Sequence, residues 1–342
     1  MTFGEALSHR RKQRGWSQEK LAQHLGITRQ SLIALEHGRR SPSLKLAMDA
    51  ARIFDTSLDD LIQGMESHAR FTAPIRWIGA QPTFVSPVVW AFIQHAVVLI
   101  PTPLLVTPRM PDAIWDPTSQ RLTPLPSARE AHKVILVGGC DPFLDWLQHL
   151  YELAHPGFWL EAVRLSSQKA LAAFQDGLLH IAGSHLFDPT TKRYNQITFS
   201  GDQSVIRQHY LQWEEGLIRH PDPSAVKGLA IREPGSEANA LYHRHTIHPP
   251  WLTEVFYSHQ SILDYIVHHP DWAGVGLGSL AAIHGLDFEP WALESYDLFI
   301  RQGDLPSAWA ENFLPILHSL ELKRLIEAIP HLELAAGLGS ID

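Results

Sequence analysis

From residue 132 onward the chain alternates between two textures, and this limits the fold more than any other feature. "KVILVGG" is a short apolar run ending in glycines, as a buried strand does. "DPFLDWLQHLYELAHPG" repeats its apolar residues at helical spacing. "FWLEAVRLS" reads as a strand, "SQKALAAFQDG" as a helix and "LLHIAGS" as a strand again. A β-α-β-α-β order sets strands side by side in a largely parallel sheet, so an α/β domain is expected. Further strands are expected at "LIRH", "GLAIRE", "WAGVGLG" and "YDLFIRQ".

Residues 3–62 read instead as a run of short helices. Leu21, Ala22 and Leu25 share one face, and Leu32 and Leu35 another, with Gly26 at a tight turn and Ser17 as an N-cap. Leu44, Ala47, Ala51 and Phe54 continue the spacing, and Leu58 and Leu61 mark one more short helix. A boundary is expected near "QGMESHARFTAP". Residues 70–130 are rich in Pro and Trp, with short apolar runs such as "RWIGA", "HAVVLI" and "LLVTP". They suggest a few strands and long turns. The expected division is a helical domain at 1–65, a β-rich module at 66–131 and an α/β domain at 132–342. The middle module could be a linker, part of a dimer interface or a first layer of the α/β lobe.

Composition narrows the class. The chain has 342 residues, 45% hydrophobic and 19% charged, so a globular protein is expected. Its one cysteine, Cys140, excludes an internal disulfide framework and fits a reducing cytoplasm. The opening "MTFGEALSHRRKQRG" has no apolar core of a secretory signal. The most apolar segment, "PVVWAFIQHAVVLIPTPLLV", is interrupted by Gln94, His95, Pro101 and Pro103. A spanning helix needs ~20 unbroken apolar residues, so buried strands are expected there and no membrane partner. The net charge of −8 is uneven. Residues 1–65 hold ten Lys/Arg against seven Asp/Glu (+3), and the remainder 18 against 29 (−11). A basic nucleic-acid head on an acidic body fits that split.

Two helices meeting at a sharp angle need a small residue at the turn, here Gly26, and where they touch, here Ala22. The second helix opens "ITRQSLIALE", displaying Thr28, Arg29, Gln30 and Ser31. Arginine pairs bidentately with guanine and glutamine with adenine. Gln18, opening the preceding helix, is placed for a phosphate. Through Arg11, Gly15, "SQEKLA", Gly26-Ile27, "SLIALEHGRRSPS" and "LDDLI", residues 7–61 resemble the Cro/C1-type, or XRE-family, helix-turn-helix. The resemblance implies an all-α head that binds double-stranded operator DNA, usually as a homodimer. It implies that Arg11 and Glu36 pair to brace the fold and that Gln18, Arg29 and Gln30 face DNA. Thr28, Ser31 and Arg39 complete the expected DNA-facing set. Ala34 stands where some members carry a longer base-contacting side chain.

Ligands of open α/β sheets sit at strand carboxyl ends and helix N-termini. "GGCDP", "LSSQKAL", "AGSHLFD", "REPGSEANA" and "YSHQSIL" are loops of that kind. Their N–H groups, hydroxyls and helix dipoles can hold a compact anion without Lys or Arg. In order, "GCDP", "AGSHLFDP" with "YN", "REPGS", "SH", "GVGLG", "HGLDF" and "SYDLFI" resemble the type 2 periplasmic-binding-protein-like, or molybdate-binding-like, domain of bacterial regulators. The resemblance implies two lobes closing on a small-molecule effector, with molybdate or tungstate as the usual oxyanions. By position the cleft would be lined by Cys140, Asp141, Ser166, Ser167, His185, Arg232, Ser236, Ser258, His259, Val275 and Tyr296. Where many relatives read "GSGTR", this chain has Gly235, Ser236, Glu237, Ala238 and Asn239, and a "GSR"-like loop has become "SSQK". A carboxylate at 237 repels an oxyanion unless it points away. A cation or a zwitterion is therefore an open alternative.

Other chemistries have weaker support. Cys140 ends a strand beside a helix N-terminus, where a thiol pKa can fall, so an enzyme using Cys140 is an alternative. No partner histidine is set by the sequence. His243, His245 and His248 cluster, but zinc needs a fourth group and supporting hydrogen bonds, and no metal site is assigned. No Walker loop, GxSxG elbow or HExxH motif is present. The expectation is a non-enzymatic, one-component transcriptional regulator. The alternative is a DNA-binding protein whose body only dimerises.

Overall fold

The computed structural model describes residues 3–40, 42–54, 73–197, 199, 204–221, 225–245, 252–304 and 313–335. The chain divides into two units, Met1–Thr72 and Ala73–Asp342.

In the first unit, α1 (Phe3–Gln13), α2 (Gln18–Leu25), α3 (Arg29–Glu36) and α4 (Leu44–Ile53) follow one another. Their starts are set by side-chain caps. Ser17 Oγ accepts from Lys20 N at 3.1 Å, Thr28 Oγ1 from Ser31 N at 3.1 Å and Ser43 Oγ from Leu46 N at 3.3 Å. Gly26 ends α2 in the left-handed region at φ 64°, which costs glycine least. Leu7, Leu21, Ala22, Leu32 and Ala50 fill the core between the helices. A Cβ on Gly4 would run into the Leu35 carbonyl, so the glycine lets α1 approach α3. The helix expected at Leu58 and Leu61 lies outside the described residues.

The second unit opens with a five-stranded sheet: β1 (Ile75–Trp77), β2 (Ser86–Ile93), β3 (Ala96–Pro101), β4 (Ala113–Asp116) and β5 (Arg121–Pro124), in the order β1-β3-β2-β4-β5. The most apolar stretch of the chain is thus the β2–β3 hairpin, with Val89 opposite Ile100. Gln94 and His95 turn it, both at positive φ (46° and 65°), as a two-residue hairpin of matching twist requires. Val89, Val98 and Ile100 share a core with Leu136, Val163 and Phe174 of the α/β body. Arg129 rivets the two layers, holding Asp112 at 2.7 Å and also pairing with Glu161, whose side chain is fully buried.

The body follows as β6 (Val134–Gly139), α5 (Leu144–Ala154), β7 (Trp159–Arg164), α6 (Ser167–Gln175) and β8 (Ile181–Ser184), then the short pair β9 (Phe187–Asp188) and β10 (Arg193–Tyr194). After β11 (Val205–Arg219) come β12 (Gly228–Arg232), α7 (Glu237–Arg244), β13 (Leu252–Phe256), α8 (His259–His268), β14 (Trp272–Leu277), α9 (Gly278–Ile283) and β15 (Asp287–Arg301). Helix α10 (Leu320–Glu327) and β16 (Leu332–Leu334) close the chain's described part.

One nine-stranded sheet runs β13-β12-β14-β11-β15-β8-β6-β7, with β16 beside β11. It holds two parallel sets. β6 pairs in parallel with β7 and β8, and β12 with β13 and β14. The antiparallel pair β11 and β15, 15 residues each, joins them. At about 3.3 Å per residue, each strand is long enough to cross both lobes. The Asp297–Ile300 part of β15 pairs with β8, and the Glu215–Arg219 part of β11 with β14. Register shifts at His209/Leu211 and Glu215/Gly216 bracket the crossing. A two-lobed α/β domain with a hinge of two strands results.

Candidate functional site

In the helical unit, Arg11 and Glu36 pair in a buried bidentate contact, Nε to Oε1 at 2.6 Å and Nη2 to Oε2 at 3.1 Å. Arg11 Nη1 also donates to the Trp16 carbonyl at 2.9 Å. The pair ties α1 to the end of α3 and so sets the angle of α3. Gln18 is half-buried, and its Nε2 donates to Glu36 Oε2 at 2.9 Å, so its amide braces that pair. Thr28, Arg29 and Gln30 are exposed at the first turn of α3, and Arg39 is exposed beyond its end. Ser31 is half-buried and takes the Thr28 hydroxyl at 2.9 Å. Arg29, 61% exposed, stands 4.0 Å from Glu19, a contact loose enough to exchange for another anion.

In the second unit, a cavity of about 700 Å³ lies where the carboxyl ends of β6, β7 and β12 meet the start of α8. Of the expected residues, Cys140, Asp141, Ser166, Arg232, Ser258 and His259 line it. Asp141 is buried. Its Oδ1 accepts from Phe143 N at 2.8 Å, while Oδ2 has no partner among the described residues. Burial, with the nearby Asp145, pushes the Asp141 pKa up to about 7. Ser166 begins α6 without spending its hydroxyl on a cap. Arg232 is held by Glu233 through Nε at 2.8 Å and Nη2 at 3.2 Å. His259 is buried, and burial with the Arg232 charge holds its pKa well below the usual value.

The other expected residues stand behind this wall. Ser167 points inward, its Oγ accepting from His185 N at 3.2 Å and lying 3.7 Å from Cys140 Sγ. His185 faces Glu294, Nδ1 to Oε2 at 2.6 Å. Ser236 caps α7, accepting from Asn239 N at 3.2 Å and donating to the Glu233 carbonyl at 2.8 Å. Val275 sits within β14 opposite Leu217, inside a lobe core. Tyr296 is fully buried against Gly139 and Gly183, where a Cβ would strike its hydroxyl. Glu237 turns from the cavity. Its Oε2 accepts from Phe187 N at 3.2 Å and its Oε1 from Arg244 at 2.6 Å.

Several groups escaped the sequence reading. Arg164, Lys169 and Glu233 line the cavity, and so do Ile78 and Leu104 from the N-terminal sheet. Glu215 and Glu294 are fully buried on the crossing strands. Their signal was a carboxylate inside the apolar runs "QWEEGLI" and "WALESYDLFI". Of the histidine cluster, His245 stacks on Trp291 at 4.7 Å, and His248 lies outside the described residues.

Comparison with known proteins bears on both units. Residues 7–61 match the family described as Helix-turn-helix, and residues 149–318 the family described as PBP superfamily domain. The HTH-type transcriptional regulator YgzD of Bacillus subtilis is 43% identical over 47 residues, 14% of this chain and 71% of that protein. The chain belongs to the helix-turn-helix transcriptional regulators. The SPbeta prophage-derived HTH-type transcriptional regulator YonR of Bacillus subtilis is 41% identical over 69 residues, 20% of this chain and 62% of that protein. The chain thus spans less than two thirds of YonR's length. Among solved structures, the ABC-type phosphate transport receptor from Vibrio cholerae is similar over 57% of this chain and 97% of that chain, with 14% identity and a TM-score of 0.40. The chain joins a helix-turn-helix DNA-binding head to a PBP-like domain. No helix among the described residues is long and apolar enough to cross a membrane.

Proposed function

We propose that the chain is a one-component regulator whose head binds double-stranded operator DNA as a homodimer while the two-lobed domain senses a small organic effector. Thr28, Arg29, Gln30, Ser31 and Arg39 form the DNA-facing set, with Gln18 bracing α3 behind them. The effector enters the cavity at Cys140, Asp141, Ser166, Arg232, Ser258 and His259. Residues 66–131 act as part of the sensor, because Ile78 and Leu104 wall that cavity.

The carrying observation is the size and mixed lining of the cavity. About 700 Å³ suits an organic molecule of metabolite size. A lone tetrahedral oxyanion would leave most of it unfilled. Arg164, Lys169 and Arg232 share the walls with Asp141, Asp145 and Glu233, and apolar Leu104 and Leu165 line the rest. That mixture favours a ligand with both a cationic and an anionic group. Molybdate or tungstate is the second reading, supported by Glu237 turning away from the cavity. To switch DNA binding, the effector must prefer one state of lobe closure, since equal affinity for both shifts nothing.

Thermal unfolding against zwitterionic metabolites, cations, molybdate and tungstate tests this. A ligand at ~100 times its Kd adds about 2.7 kcal/mol if it binds only the folded state. A shift abolished by Arg232→Ala supports the assignment. A shift with molybdate or tungstate alone replaces the organic effector by the oxyanion. A flat result across the panel counts for a body that only pairs DNA heads.

A further inference from the structure

Behind the cavity, four side chains from distant parts of the chain converge. His185 follows β8 in one lobe, His259 opens α8 in the other, and Glu215 and Glu294 lie on the crossing strands β11 and β15. All four are buried, at 2%, 4%, 0% and 0% exposure. His185, Glu215 and Glu294 present donor atoms all within 4.8 Å of one another. His259 Nδ1 lies 3.8 Å from Glu215 Oε1.

The cluster is chemically incomplete. Neither oxygen of Glu215 accepts a hydrogen bond from any described donor, and His259 Nδ1 makes no hydrogen bond among the described residues. Two buried carboxylates side by side cost several kcal/mol unless a proton or a cation sits between them. The cation facing His259, Arg232, is already held by Glu233. Glu294 is better supported, taking the Trp213 indole N–H at 3.2 Å and the Tyr194 hydroxyl at 3.4 Å. Such hydrogen bonds orient a ligating carboxylate.

We infer that His185, Glu215 and Glu294 bind one divalent transition-metal ion of the zinc type, with His259, 3.8 Å from Glu215 Oε1, turning in as the fourth donor. Two neutral imidazoles and two carboxylates carry a charge of −2, which the ion cancels. Donors of a tetrahedral zinc stand roughly 3.4 Å apart, given bonds of about 2.0–2.2 Å, so small side-chain shifts suffice for His185, Glu215 and Glu294, and a larger turn of the His259 ring closes the site. Nitrogen donors select against Mg²⁺ and Ca²⁺, which prefer all-oxygen shells. His259 lines the cavity and opens a route of entry. With one ligand from each lobe and one from each crossing strand, the ion would lock the lobes against one another. The inference does not depend on which molecule fills the larger cavity.

The test uses full-length protein stripped with a chelator and free of DNA and effector. Equilibrium dialysis should find one Zn²⁺ or Co²⁺ per chain, and the Co²⁺ form should show the intense visible bands of four-coordination. Glu215→Gln, which keeps the side-chain shape, should weaken binding at least about tenfold, and His185→Ala likewise. X-ray absorption of the Zn²⁺ wild type should show a nitrogen/oxygen shell with two imidazoles, a readout that survives if a variant fails to fold. Unchanged affinity in Glu215→Gln, a six-oxygen shell, or no stoichiometric binding by the wild type would each overturn the assignment.

Discussion

Glu237 Oε2 accepts the Phe187 backbone N–H at 3.2 Å, while Arg244 holds Oε1 at 2.6 Å and lies 4.9 Å from the centre of the Phe187 ring. The contact joins the segment after β8 to α7, so it links elements of the two lobes. Glu237→Ala strands a half-buried N–H and unpairs Arg244. A loss of about 1–3 kcal/mol is expected in urea unfolding. No loss would mean that Glu237 contributes nothing to joining the lobes.

Breaking the Arg11–Glu36 pair should be costly for the helical unit, because both side chains are buried and the guanidinium would be left without its counter-charge. Glu36→Ala is expected to lose about 3–5 kcal/mol. Since a small domain holds only about 5–15 kcal/mol in all, the head should melt early and operator affinity should fall with it. Separate unfolding transitions for the two units in calorimetry would check this.

Arg29→Ala acts differently. The side chain is exposed, and its ion pair among the described residues is the loose one with Glu19, so the melting profile should not move. Operator binding should weaken by about 1–3 kcal/mol and base preference should relax. A mobility shift at constant salt decides it, since salt alone changes such affinities by orders of magnitude.

Asp141 sets a pH dependence with a definite sign. Its pKa rises from 3.8 to about 7 on burial, so the folded state binds the proton more tightly than the unfolded chain. Its stabilising contribution is therefore complete at acid pH and is lost as pH climbs through about 7. At about 1.4 kcal/mol per unit, the loss amounts to a few kcal/mol. His180 opposes it. Burial lowers its pKa to about 4, so its contribution is lost as pH falls from 6.5 towards 4. Thermal unfolding of Asp141→Asn across about pH 5 to 8 should be flatter than wild type, because the amide cannot take up the proton. Parallel curves would assign the slope to other groups.

The first four helices of the head, the β-α-β-α-β order from 132 to 184 and the strands within 87–101 were legible in the residues, whereas most of β11 and all of β13, α10 and β16 were not. The cap at Ser17, the glycine at 26 and spacings of two or between three and four residues are local signals. They act within a turn or a strand and need no knowledge of the partner. The same holds for the loops bearing Cys140, Asp141, Ser166 and Ser258, since a strand followed by a helix puts its loop at the carboxyl edge.

Charge placement was not legible in this way. Arg129 could be read as a surface cation, yet it is buried between Asp112 and Glu161. His185 and Glu294 meet across 109 residues of sequence because β15 runs beside β8. Glu215 and Glu294 face each other only through the register of two crossing strands. Tyr296, expected at the cleft, is withheld from it by the glycines it packs on. Local order follows from the periodicity of neighbouring residues, whereas the electrostatics of the site follow from strand order and register. Those depend on which distant surfaces pack together, and here that packing decided which carboxylates lost their water and which gained a partner.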